Sequence, residues 1–174
     1  TLFRSWLGRI SEVQVEEVVL NPNEPQYSMK GINGKRFDQE GRLKENLSAA
    51  DAVQYPNSAD VHLDKPHLSF YRDGSLLYEV GSDKAVYNIQ NKKVVFEQNV
   101  VLNKAADAKR LAGIVKTERL NVDTEAQYAH TDSPVTFQYG QSGGQANGMT
   151  YDHKTGLLNF PSKVKATIYD TKNL

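Results

Sequence analysis

Phe37-Asp38-Gln39-Glu40-Gly41-Arg42-Leu43 and Phe70-Tyr71-Arg72-Asp73-Gly74-Ser75-Leu76 are the stretches whose reading decides the fold. They align without gaps at an offset of 33 residues. The match runs on from Leu47, Ala52 and Val53 to Val80, Ala85 and Val86. Gly41 and Gly74 stand where a tight turn needs a positive φ, which glycine adopts without a Cβ penalty. The runs on either side read as strands, so each stretch is a hairpin.

The second half of that unit recurs four times. Ala52, Ala85, Leu120 and Met149 each stand 14 residues before Pro66, Asn99, Pro134 and Lys163. Between these anchors lie polar turn residues, namely Pro56-Asn57-Ser58, Gln90-Asn91-Lys92, Asp123-Thr124-Glu125 and His153-Lys154-Thr155-Gly156. An apolar alternation follows each turn: Val61 and Leu63, Val94 and Phe96, Ala129 and Thr131, Leu158 and Phe160. The residues between them are His62, Val95, His130 and Asn159, of which only Val95 is apolar. One parity therefore faces a core and the other faces water. Self-similarity of this kind means stacked supersecondary units.

From Tyr27 onward apolar residues do not recur at three and four, so no helix is expected. A propeller needs about 40 residues and four strands per blade, and a right-handed β-helix uses shorter coils than these. The pattern fits an all-β, antiparallel two-sheet jelly roll, or an open variant of it, built of repeated hairpins. Asn21-Pro22-Asn23-Glu24-Pro25 marks a boundary, dividing residues 1–21 from a β domain at 22–174. Thr1 to Ile10 mixes Leu2, Phe3, Trp6, Leu7 and Ile10 with Arg4 and Arg9. That mixture suits a membrane–water interface, though a short amphipathic helix or a disordered tag would read the same way. No run approaches the roughly 18–20 apolar residues that span a bilayer.

Composition narrows the function. Lys and Arg number 21 and Asp and Glu number 21, so the chain has no basic excess for a nucleic-acid partner. A mean hydropathy of -0.60 suits sheets with one solvated face. Cysteine is absent, which removes disulfides, thiolate metal sites and cysteine nucleophiles. His62, His67, His130 and His153 show no metal-ligand spacing, and the reading makes them solvated. No GxSxG elbow occurs. The glycine-rich segment Tyr139 to Gly148 lacks the GK[ST] ending of a phosphate loop and reads as a flexible loop between strands. Carboxylates are scattered singly, which leaves a glycosidase-like pair as a remote alternative. The expectation is a non-enzymatic domain with no cofactor and no metal. Its apolar interior is the one candidate site, and an ordinary packed core is the competing reading.

Asn21-Pro-Asn-Glu-Pro25, Tyr27, Phe37-Asp-Gln-Glu-Gly41-Arg-Leu43, Pro66-His-Leu68, Tyr139-Gly140 and Lys163-Val-Lys-Ala-Thr-Ile-Tyr169 together resemble the LptC family, in their order and spacing rather than in any single motif. The resemblance runs from about Pro22 to Asp170. It implies an open, V-shaped jelly roll in the periplasm, tethered to the inner membrane by one N-terminal anchor whose exit would be residues 1–21. It also implies binding of lipopolysaccharide, received from the ABC transporter LptB2FG and passed to LptA. Ile32, Leu63, Asn159 and Tyr169 match the family's lipid-contact positions, and Gly140 matches a glycine linked to function. Asn159 falls on the polar parity of the repeat and is set aside for that reason. Joined to the repeat, the expected lipid-binding set is Ile32, Val61, Leu63, Val94, Phe96, Leu158, Phe160 and Tyr169. Partner docking is expected along two edges. Tyr27 and Phe37 mark the N-terminal edge for the transporter, Val164, Ala166 and Ile168 mark the C-terminal edge for LptA, and Gly140 joins the docking set without an edge of its own.

Overall fold

The computed structural model describes residues 21–168 and contains, among them, twelve strands and no helix. In chain order the strands are β1 (Tyr27–Phe37), β2 (Leu43–Gln54), β3 (Asp60–Asp64), β4 (His67–Arg72), β5 (Ser75–Gly81) and β6 (Lys84–Asn88). The rest are β7 (Lys93–Lys104), β8 (Gly113–Asp123), β9 (Tyr128–Tyr139), β10 (Ser142–Asp152), β11 (Leu157–Asn159) and β12 (Ser162–Thr167). The expected Thr1–Ile10 segment and Tyr169 lie outside the described residues.

Every pairing is antiparallel. β3 and β4 pair successively with the two halves of β2, and β5 and β6 with the two halves of β7. β11 and β12 do the same to β10. Those three pairs each continue one another, so the twelve strands act as nine long kinked ones, every one bonded to its sequence neighbours. The connectivity is a meander. The kinks fall on one line. Gly31 (φ 62°), Lys65 (φ 48°), Gln98 and Asn99 (φ 65° and 54°) and Gly148 (φ 87°) mark it. Register shifts in β7, β8, β9 and β10 fall on the same line. Backbone bonds hold the corners together, from the Lys65 N–H to the Asp83 carbonyl at 2.8 Å and from the Asp83 N–H to the Gln98 carbonyl at 2.9 Å. An extra residue with αL geometry bends a strand sharply. A row of such residues creases the whole sheet into two layers, a V continuous at its apex.

Layer one contains β3, β6, β11 and the adjoining halves of the long strands. Its hairpins are the four copies read from the sequence. Three of their turns share one device: the Oδ1 atoms of Asn88, Asp123 and Asp152 each accept the N–H groups two and three residues on. These residues sit three places after Ala85, Leu120 and Met149. The αL residues Lys92, Gln127 and Gly156 sit seven places after the same anchors. Asx side chains stabilise turns this way. The first copy has Tyr55 at that place, which offers no Asx oxygen, and the Ser58 N–H bonds the Tyr55 carbonyl instead. Layer two contains β4, β5, β12 and the other halves. Asp73 and Gly74 (φ 51° and 80°) close its β4–β5 hairpin with the two αL residues of a type I′ turn.

The glycine-rich stretch is a correction to the sequence reading. Ser142–Asp152 is a strand rather than a flexible loop. Gly143 and Gly144 are there because the neighbouring strand crowds them: a Cβ on Gly144 would collide with the Lys165 carbonyl and would meet the Phe137 ring at 2.9 Å. Only a residue without a side chain lets β12 and Phe137 close over it.

Candidate functional site

The register carries the apolar parity across each layer. In layer one, Val61 stands opposite Tyr87, Tyr87 opposite Val94, and Val94 opposite Val122. The row continues through Ala129 and Tyr151 to Leu158. One step nearer the crease, Ala52, Leu63, Ala85, Phe96 and Leu120 align likewise. In layer two, Leu47, Leu68, Val80, Leu102, Val115 and Phe137 form a single cross-strand row. These rows face one another and enclose the core. The strip between the layers therefore runs across the strands, from one edge of the sheet to the other.

The structure brings together most of the expected lipid-binding set. Leu63, Val94 and Phe96 are core residues, and Ile32, Val61, Leu158 and Phe160 are partly buried against that core. Val95 is only half-buried, and His62, His130 and Asn159 are exposed, as the polar parity requires. The middle of the strip is filled. Phe70 stacks on Tyr78 with centroids 4.6 Å apart, and Tyr78 meets Tyr151 edge-on at 5.0 Å, tying layer two to layer one.

His153 completes this cluster, 5.5 Å from Phe70 and 5.2 Å from Tyr78. This corrects a second expectation, for His153 is 4 % exposed and not solvated. Its turn folds inward because Arg72 of the β4 end donates to the His153 carbonyl at 2.9 Å. Burial, reinforced by Arg72 and Lys44, holds the imidazole down at a pKa of about 4. The Tyr78 hydroxyl and His153 Nδ1 are buried without a hydrogen-bond partner. Burial also pushes the Tyr78 phenol well above its usual range.

Towards its free end layer two becomes polar. Arg36 pairs with Glu45 at 2.6 Å, and burial raises the Glu45 carboxyl despite that partner. Lys104 is buried on the same cross-strand row, where burial lowers its pKa, and its Nζ donates to the Ala105 carbonyl at 3.0 Å.

Apolar surface is open at the two lateral edges instead. β1 pairs only with β2. Its inward residues Tyr27 and Met29 are 58 % and 55 % exposed, in register with Gln54 and Ala52. At the other edge β12 pairs only with β10. Lys165 lies in register with Gln145 on the outer face, so Val164 and Ala166 turn to the opposite side, Val164 being 48 % exposed. Ile168, just past β12, and Phe37, at the end of β1, are also exposed. Gly140 (φ 59°) occupies the β9–β10 turn, three residues before Gly143, which pairs with Thr167. A side chain there would meet Leu111 at 2.5 Å.

A groove of about 790 Å³ lies elsewhere, on the outer face of layer two. Its lining includes the outward row Val101, Lys116, Thr136, Gln145 and Lys165 and, of opposite parity, Val100, Thr117, Val135 and Ala146. It contains one carboxylate, Glu118, and a smaller pocket contains one, Asp107. Neither assembles the two acids that glycoside hydrolysis uses. Among the described residues no cluster of His, Asp and Glu is arranged to hold a metal ion, and no helix is long and apolar enough to cross a membrane.

Residues 1–170 match the family described as "Lipopolysaccharide-assembly, LptC-related". The chain belongs to this family. No curated protein matches it. Among solved structures it is similar to LptH from Pseudomonas aeruginosa, described as the LptA-homologous periplasmic component of a conserved lipopolysaccharide transport device. The TM-score is 0.58 at 5 % identity, covering 72 % of this chain and 95 % of that one. At that identity the likeness is one of fold, a jelly roll of the same type. Family membership gives the chain a non-catalytic role in lipopolysaccharide transport.

Proposed function

We propose that the domain binds lipopolysaccharide by its acyl chains between the layers and relays it from LptB2FG, docked at the β1 edge, to LptA, docked at the β12 edge. In this reading it projects into the periplasm from a single N-terminal inner-membrane anchor. The observation that carries the proposal is the edge-to-edge apolar strip, exposed at the two sheet edges where neighbouring domains would continue it. An added strand on either edge would extend the same rows by β-augmentation. Exposing a chain of ten methylenes to water costs roughly 8 kcal/mol, at about 0.8 kcal/mol per CH₂. A strip that continues from one protein into the next removes most of that barrier without a covalent step. Uptake of a chain requires the layers to swing apart about the crease, since the middle of the strip is packed.

Photocrosslinking tests the assignment. A benzoylphenylalanine at Phe96, and at the partly buried Ile32 and Leu158, is expected to capture lipopolysaccharide during transport, while the same probe at Val95 captures little. The rim positions keep the test valid if the Phe96 variant folds poorly. Equal capture at inward and outward positions overturns the proposal. The filled interior favours a second reading, a protein-interaction scaffold that never admits lipid, and absence of capture at all inward positions would establish it. Ala166→Pro, which removes a β12 N–H, is expected to abolish LptA binding on either reading. Normal LptA binding would mean that docking uses another edge.

A further inference from the structure

A pocket of about 270 Å³ opens between the loop that joins β7 to β8 and the turn that joins β10 to β11. Arg72, Lys109 and Arg110 line it, against a single carboxylate, Asp107. Tyr151 and His153 also contribute to its wall. Arg72 is fixed in place by its bond to the His153 carbonyl. Lys109 and Arg110 make no side-chain hydrogen bond or ion pair among the described residues. Asp107 offsets only one of these charges: its carboxylate accepts the Lys109 N–H at 2.8 Å and attracts Arg110, which leaves the pocket with a positive excess. The Arg110 guanidinium lies over Gly156, in the space a side chain at that position would fill. Behind this wall the His153 ring is packed against Phe70 and Tyr78, so the basic groups sit at the mouth of a pocket with an apolar back. Two guanidiniums and an ammonium at one small pocket form the arrangement that recognises a tetrahedral oxyanion, because the planar fork of arginine matches two oxygens at once.

We propose that this pocket is an anion site that takes a phosphate monoester, either as free phosphate or as the phosphorylated sugar of a glycolipid headgroup. The site assumes nothing about lipid between the layers, and it can hold or fail alone. Its electrostatic field is visible on its neighbours. Arg110 and Arg72 both oppose the burial that raises the Tyr151 phenol, and Arg72 helps to depress His153.

Amide-resolved NMR titration of the full chain with inorganic phosphate, against chloride at matched ionic strength, tests the proposal. The expected result is saturable shifts confined to Arg72, Leu77 and residues 107–111 and 151–156, with a His153 titration midpoint that rises from about 4 when phosphate is bound. Arg110→Gln, on an exposed loop, is expected to weaken the affinity at least tenfold while the rest of the spectrum stays unchanged. Glucose 1-phosphate binding more tightly than inorganic phosphate identifies a sugar headgroup, and equal affinity identifies free phosphate. Shifts that chloride reproduces, or an Arg110→Gln variant that binds phosphate as the native chain does, overturn the site.

Discussion

The two layers are halves of the same strands, yet their free ends are built differently. At the layer-one end, Asn88, Asp123 and Asp152 cap successive turns with the same pair of bonds, and the inner rows beneath are apolar but for Gln54 and Thr131. At the layer-two end no two turns are alike. One is knotted by Asp38, which accepts from the Arg42 N–H and from Arg42 Nε. One is the two-residue Asp73-Gly74 turn, and one is the loop between Lys104 and Gly113 that carries the basic pocket. Its last inner row brings Arg36, Glu45 and Lys104 beside Phe70 and Tyr78. A lipid-sized apolar surface demands uniformity along its length, and layer one supplies it. Specific recognition demands individual groups, and layer two holds them. The difference assigns packing to one half of each strand and polar chemistry to the other.

The largest expected effect tests packing. Phe96 is fully buried in layer one, and Phe96→Ala should cost about 3–5 kcal/mol through lost contacts and the cavity left behind. Phe137, its partly buried counterpart in layer two, stacks on Phe160 at the rim with centroids 4.1 Å apart. Phe137→Ala should cost less than half as much. Urea unfolding with unchanged m-values measures both, and equal losses would mean that Phe137 at the rim is as tightly packed as Phe96 in the core.

Second comes the inter-layer contact at His153. Unfolded, this imidazole takes up its proton near pH 6.5, whereas the folded chain resists protonation down to about 4. The unfolded state therefore binds more protons in that window, so stability falls as pH drops from 6.5 towards 4 and the loss is complete below the folded value. The whole effect is up to roughly 3 kcal/mol. His153→Gln should flatten that part of the stability–pH profile. A native slope that survives the substitution would mean that the ring is not buried against layer two.

A third and smaller effect tests the repeated cap. Asp123→Ala leaves the Glu125 and Ala126 N–H groups without their shared acceptor, in a turn exposed to water, and should cost about 1 kcal/mol. The same loss is expected for Asp152→Ala. Thermal unfolding of the two variants checks this, and unequal losses would show that the copies are alike in sequence only.

How much of this was legible follows from what repeats. The parity of Val61, Leu63, Val94, Phe96, Leu158 and Phe160 was readable because a strand period of two is local, and four copies averaged out the noise. The Asx cap is equally local, at a fixed three residues past each anchor, but Asn and Asp are common at solvated positions of every kind, so residue type alone does not single it out. The crease was not readable from Lys65 and Gln98, whose residue types do not announce αL geometry, and Asn99 beside them hints at it only weakly. Gly144 misled for a related reason. Its glycine serves close packing against β12, a contact between segments some twenty residues apart, and in isolation it looks like flexibility. The cluster of Phe70, Tyr78, Tyr151 and His153 joins residues up to 83 positions apart and leaves no periodic trace. Families of hairpins advertise their common part and conceal what is particular to each.

The smallest expected effect concerns one oxygen atom in that cluster. The Tyr78 hydroxyl is buried beneath the polar end of layer two, with Phe70 stacked on its ring and no hydrogen-bond partner. A buried hydroxyl left unpaired forfeits its bonds to water, and removing it can be neutral or stabilising where shape is retained. Tyr78→Phe keeps the ring, the stack and the edge contact to Tyr151. It should therefore leave stability unchanged or raise it by up to about 1 kcal/mol, which moves the thermal midpoint upward by roughly 2–4 °C in a domain of this size. Tyr151→Phe, whose phenol sits at the basic pocket under the influence of Arg110 and Arg72, should bring no such gain. A clear loss on Tyr78→Phe would mean that the hydroxyl has a partner, and the polar row of layer two would then extend into the packed middle of the strip.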